Sequence, residues 1–210
     1  MRSFVKYFKT KKELIDFFSE EYFTSVNYSD YLHRKSKYVN TASDIYNFFG
    51  LTKYSIILDY GCAVGHLLNG FSNLGMQNLT GVDTSKWAIA NSPYKDISMS
   101  TDISIISKQL YDLCIVLDVF EHMFDDQIDY VLSNLSAKRI LVRIPYRLEN
   151  ETDFYLEVSR KDPSHVNCKT KEKWIEKIES FGYYYVADPI ATKTIYNSTG
   201  CFCGYFINNG

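Results

Sequence analysis

Apolar positions along the chain alternate between two spacings. Ile56, Ile57 and Leu58 run together, as a strand covered on both faces requires, and Leu67, Leu68, Phe71 and Leu74 then recur along one helix face. Gly75 caps that helix and Leu79 to Val82 forms the next strand. The same alternation predicts a short helix through Trp87 to Ala90 capped by Thr84 or Ser85, a strand over 96–101, and a strong central strand from Tyr111 to Leu117. A helix carrying Ile128, Val131, Leu132 and Leu135 leads to a strand at Arg139 to Ile144, and one carrying Trp174, Ile175, Ile178 and Phe181 stops at Gly182. Tyr183 to Ala187 and Cys201 to Ile207 pair as a closing antiparallel hairpin. Two helices precede all of this. The first opens with the capping box Thr10-Lys-Lys-Glu13 and buries Leu14, Phe17, Phe18 and Tyr22; the second runs from Tyr31 to Phe49 and stops at Gly50.

The exit from the first strand carries the chemistry. Glycines at Gly61 and Gly65 let the chain turn sharply and admit a ligand close to the main chain. Asp83, ending the following strand, is placed to accept hydrogen bonds from both hydroxyls of a ribose. Together they imply a nucleoside-containing cofactor. A dinucleotide fingerprint would put glycines where Ala63 and His66 stand, and it fails there.

The segment instead resembles motif I of class I S-adenosylmethionine-dependent methyltransferases, an acid followed by G-x-G-x-G: Asp59, Gly61 and Gly65 match, and Ala63 replaces the middle glycine. The D-V-F-E-H-M run, Asp118 to Met123, resembles the fourth-strand motif of that family. The resemblance implies an α/β, Rossmann-like fold: a seven-stranded, mostly parallel sheet with an antiparallel C-terminal hairpin and helices on both faces. It implies S-adenosylmethionine as cofactor and S-adenosylhomocysteine as product. The implied contacts are Asp59, Gly61, Cys62, Ala63 and Gly65 in the first turn and Asp83 with Thr84 after the second strand. Asp102 would meet the adenine amino group or simply act as a loop acid or helix cap, and the backbone at Asp118 and Val119 would border the methionine end. Residues 1–50 are expected to form a helical cap or lid over a methyltransferase domain at 51–210, with Tyr28, Tyr31 and His33 as lid residues or ordinary packing.

Three residues stand out for acceptor chemistry. Asp162-Pro-Ser-His165-Val-Asn167 forms a loop before the last helix, and histidine is the side chain whose ordinary pKa suits a general base near neutrality. His165 is therefore the candidate base, unless it only ties the loop together; Asp162 is its companion. His122 is the third, its Glu-His pair serving either chemistry or helix capping. Asp162 and His165 alone do not make a metal site, so no metal is expected.

Composition trims the remaining choices. A formal charge of −2 over 210 residues gives no footprint for nucleic acid, which makes that an improbable partner. The 18 tyrosines and 14 phenylalanines suit stacking on sugar rings. The expected acceptor is a sugar, glycan or other small-molecule hydroxyl. No apolar run approaches the ~18–20 residues of a membrane helix, the N-terminus lacks a signal-peptide core, and five cysteines without framework spacing suggest a reducing compartment, so the cytoplasm is expected. Two rival readings remain: an NAD-dependent oxidoreductase or epimerase, and a cofactor-binding but inactive partner subunit.

Overall fold

The computed structural model describes residues 8, 10–24, 34–186 and 200–208; Tyr28, Tyr31, His33 and Ala187 lie outside them. Seven strands form a single sheet: β1 (Ile57–Tyr60), β2 (Leu79–Val82), β3 (Ser98–Ser100), β4 (Leu113–Leu117), β5 (Arg139–Pro145), β6 (Tyr183–Val186) and β7 (Cys201–Asn208), in the order β3-β2-β1-β4-β5-β7-β6. The first five are parallel, and β7 inserts antiparallel between β5 and β6. This is the expected fold class, with every one of the seven expected strands present.

The helices are α1 (Lys11–Phe17), α2 (Glu20–Thr24), α3 (Lys35–Phe48), α4 (His66–Asn73), α5 (Lys86–Ala90), α6 (Asp125–Asn134), α7 (Glu157–Lys161) and α8 (Lys171–Glu179). Strand residues alternate between two apolar layers, as the period of two dictates. Leu58, Val116 and Val142 pack with Ile128 and Val131 of α6 and Trp174 of α8. On the opposite face Ile57, Ile115 and Leu141 pack with Ile45 of α3 and with Leu68 and Phe71 of α4. Thus α3 belongs to the same core as the sheet, whereas α1 and α2 lie elsewhere.

Three local expectations are corrected. The first predicted helix is broken in two: Phe18 leaves helical geometry, its carbonyl accepts a hydrogen bond from the Ser85 hydroxyl, and α2 restarts at Glu20. Both bonds of the predicted Thr10–Glu13 capping box are present. Leu74 is not on the buried face of α4; that helix ends at Asn73, and Leu74 is its half-exposed cap. The third strand is shorter than expected, only Ser98–Ser100. Among the described residues, no helix is long and apolar enough to cross a membrane.

The α3–α4 contact is tight because Gly70 has no side chain. A Cβ there would sit 2.6 Å from the Ala42 Cβ and 3.1 Å from the Tyr38 carbonyl oxygen. Gly70→Val should therefore force the helices apart and lower stability by about 1–3 kcal/mol. Urea unfolding of the variant against the natural protein measures this, and an unchanged midpoint would refute the packing argument.

Candidate active site

The turn after β1 is held from below by the end of β2. The amides of Gly61 and Cys62 both donate to the Val82 carbonyl, at 2.7 and 3.1 Å. Three residues of the turn have positive φ: Gly61 (83°), Ala63 (48°) and Gly65 (88°). Gly61 has a second reason to be glycine, since its Cβ would lie 2.3 Å from a Val119 methyl in the turn after β4. The two turns at the centre of the sheet thus touch, and the cleft opens beside them.

Asp83 orders this end of the cleft. Its Oδ2 accepts from the Ala63 amide at 2.8 Å and its Oδ1 from the Ser85 amide at 2.7 Å. A carboxylate has about four acceptor sites, so each oxygen keeps capacity for a further donor. Asp59 is buried behind it, 4% exposed. Burial, and then the neighbouring Asp83 charge, push the Asp59 carboxyl up to about 8. Asp102 stands apart. It does not line the cleft although Thr101 and Ile103 do, and its carboxylate accepts from the Ser104 amide at 2.9 Å and pairs with Lys108. Here it acts as the cap of the turn Ile103–Ser107.

The opposite end is built where the loop at 162–167 is fastened under the turn after β4. The Glu121 carbonyl accepts from the amides of Val166 and Asn167, at 2.9 and 3.0 Å, and the Asn167 side-chain amide donates to the Met123 carbonyl at 3.0 Å. These bonds bring the His165 ring to 4.6 Å from that of His122, edge to face. Asp118, at φ 57°, has its carboxylate bonded by Arg143. Asp162 accepts from both the amide and the hydroxyl of Ser164 through Oδ1, and its Oδ2 lies 3.8 Å from His165 Nε2.

That pattern assigns a tautomer. The single Ser164 hydroxyl proton points to Asp162, so the Nδ1 of His122, 2.9 Å from the Ser164 oxygen, must be the donor. Its Nε2 is left with a free lone pair. Burial lowers the pKa of His122, and burial together with the neighbouring His122 lowers that of His165 to about 3. Both imidazoles are neutral near pH 7. Glu121 is fully buried, and burial holds its carboxyl well above the usual range, with Asp118 adding to the effect. A ligand atom from each of Glu121, His122 and His165 lies within 4.8 Å of the others.

Between these ends runs a cleft of about 810 Å³, within the usual size of a small-molecule site. Asp59, Gly61, Cys62, Ala63, Asp83, Thr84, Asp118, Val119, His122, Asp162 and His165 all line it; of the residues expected at the site, Gly65 and Asp102 do not. Gly65 instead caps α4 beneath Met99. Hydrophobic periodicity alone does not place Leu14, Phe18, Tyr22 and Phe23 of the N-terminal helices, or Arg143, in the cleft wall, where the structure has them. The signal for Arg143 was available, a lone basic residue inside the apolar run of β5. The aromatic residues gave none, because their periodicity reads equally well as core.

The strand order, the crossover after β5 and the cleft at the carboxyl ends of β1 and β4 define the class I methyltransferase fold. No protein-family model matches the sequence, and no curated protein matches it either. Solved structures do. The chain is similar to magnesium protoporphyrin IX methyltransferase from Synechocystis PCC 6803 with bound SAH, at 14% identity over 95% of this chain and 100% of that one, with a TM-score of 0.62. It is similar to the plantazolicin methyltransferase BpumL in complex with SAH, at 17% identity over 95% and 97% of the two chains (TM-score 0.59). The methyltransferase domain of bacterial CtHen1 aligns at 18% identity over 82% of this chain and 100% of that domain (TM-score 0.58).

Two measurements test the geometry. Gly61→Ala combines a positive φ with a clash against Val119 and should lower stability by about 2–3 kcal/mol; Val119→Ala in the same chain should recover part of that loss in a double-mutant cycle. Asp59 gives a pH signature. The unfolded chain loses this proton near 3.8 while the folded chain keeps it to about 8. Stability therefore falls as pH rises across that window, by at most about 1.4 kcal/mol per pH unit. Asp59→Asn should melt higher than the natural protein at pH 8 and show a flatter melting profile between pH 5 and 8.

Proposed function

We propose that the protein is an S-adenosylmethionine-dependent methyltransferase that methylates a hydroxyl oxygen of a sugar, glycan or other small molecule. The observation that carries the reading is a cleft with Asp83 and the Gly61 turn at one end and neutral histidines at the other, on a sheet of this topology. The residues fit the cofactor: Asp83 retains acceptor capacity for ribose hydroxyls, and Gly61, Cys62 and Ala63 line the cleft beside it. Bound S-adenosylmethionine supplies an electrophilic methyl group on a sulfonium.

The chain's own residues position and desolvate. Asp83 holds the ribose end, the Asp118–Val119 backbone borders the methionine end, and α1 and α2 act as the cap that excludes water, through Leu14, Phe18 and Tyr22. An acceptor hydroxyl methylated in this cleft would have to give up its proton. His122 Nε2 and the His165 ring are the acceptors within the cleft, with Asp162 orienting both. Burial lowers the pKa of both rings, and the Ser164 bond that leaves Nε2 as an acceptor favours His122 over the residue singled out from sequence.

Phe18, edge-on to His122, and Tyr22 next to it line the cleft and suit contact with a sugar ring, which supports the acceptor class. The five free cysteines fit a cytoplasmic location. An NAD-dependent enzyme is disfavoured by Ala63 and His66 in the fingerprint and by the β5-β7-β6 hairpin. An inactive binding subunit would bind the cofactor and never turn it over.

Calorimetric titration with S-adenosylmethionine, S-adenosylhomocysteine and NAD separates the first two readings, and release of S-adenosylhomocysteine in the presence of a hydroxyl acceptor separates an enzyme from an inactive subunit. Micromolar binding of S-adenosylmethionine and S-adenosylhomocysteine and none of NAD is expected. Asp83→Ala should weaken S-adenosylmethionine by about 1.5–3 kcal/mol, roughly 10–100-fold; undiminished affinity would remove Asp83 from the ribose.

A further inference from the structure

Glu121 is out of place for a structural residue. It is fully buried, and neither carboxylate oxygen has a hydrogen-bond partner. Carboxylates removed from water are almost always paired, hydrogen-bonded or bound to a metal. The neighbouring charges do not replace a partner: Asp118 and Asp162 are both acids, and the Arg143 guanidinium, which acts the other way at a distance, is bonded to Asp118. Burial without a partner is tolerated where something else supplies the missing charge.

The surroundings fit a cation. His122 presents its Nε2 lone pair, because Ser164 and Asp162 fix the proton on Nδ1. His165 packs against it, also neutral, and Asp162 stands 3.8 Å from its Nε2. Ligand atoms of Glu121, His122 and His165 fall within 4.8 Å of one another. Two ligands each about 2.1 Å from a common metal lie at most about 4.2 Å apart, so the set needs only a small inward shift. Ser164 and Asp162 then form the outer hydrogen-bonding layer that orients ligating imidazoles in metal sites.

We propose that Glu121, His122 and His165 bind a divalent first-row transition cation at the acceptor end of the cleft. Two neutral imidazoles and one carboxylate match the donor set of such ions and leave coordination positions open to the cleft. An acceptor hydroxyl entering one of them would lose its proton more readily, to water in the cleft, and with the cation in place the two imidazoles serve as its ligands instead of as the proton acceptors. That role rests on the methyl-transfer reading; the cation site itself does not. It reverses the expectation from sequence that no metal is bound, because Asp162 and His165 were there considered without Glu121 and His122.

The test uses the full, untagged chain stripped with EDTA and titrated with Co²⁺, followed by visible absorption and calorimetry. One Co²⁺ per chain is expected, with ligand-field bands of a nitrogen- and oxygen-coordinated ion. Glu121→Gln and His165→Ala should each weaken binding by at least about 100-fold. Co²⁺ should raise the melting temperature of the natural protein and leave that of Glu121→Gln unmoved. Without metal, Glu121→Gln should melt at or above the natural protein, since it removes an unpaired buried carboxylate. Absent stoichiometric binding, binding indifferent to both substitutions, or a Glu121→Gln variant that melts lower without metal would each overturn the proposal. Failure of the natural protein to bind S-adenosylmethionine would instead overturn the methyltransferase reading and leave the cobalt result standing.

Discussion

Everything at the site depends on the reversal of strand order at β1. From β1 the sheet steps one way to β2 and β3 and the other way to β4 and β5. Right-handed crossovers then place the connecting helices on opposite faces, and the carboxyl ends of β1 and β4 part to leave a crevice. The contact of Gly61 with Val119 marks where the crevice closes at its floor. A side chain at Gly61 would wedge the two turns apart, so one residue's lack of a Cβ sets the width of the cleft.

The crevice concentrates acids. Asp59, Asp83, Asp118, Glu121 and Asp162 all line it, and burial raises the pKa of Asp59, Asp83 and Glu121. A fold pressed only toward stability would replace such groups or pair each of them. Instead the cleft carries carboxyl groups whose charged forms burial disfavours and positive charge would favour. A sulfonium cofactor at one end and a cation at the other would supply it, and the two would then stabilise the same low-dielectric cavity from opposite sides.

The strands and the first site turn were readable because their signals are local. Ile57 and Leu58 must be buried on both faces, and the Gly61–Gly65 spacing belongs to a turn with positive φ. The break at Phe18 was not readable, since its cause is Ser85, far along the chain, whose hydroxyl satisfies the carbonyl that the helix abandons. Asp102 had the position of an adenine ligand, but its own Ser104 amide and Lys108 were nearer partners. The grouping of Glu121 and His122 with His165 was invisible because it too is made by bonds between distant segments, here the main-chain bonds to the Glu121 carbonyl, which leave no trace in residue type.

The two halves of Glu121 act in opposite senses. Its carbonyl, bonded by the amides of Val166 and Asn167, anchors the loop that delivers His165 and so favours the fold. Its carboxyl, buried and unpartnered, works against the fold. Any residue could serve the first purpose, since the bonds use only backbone, and an apolar side chain would serve it at less cost. The acid is therefore explained by what the carboxyl can bind in the cleft, not by what it contributes to the fold.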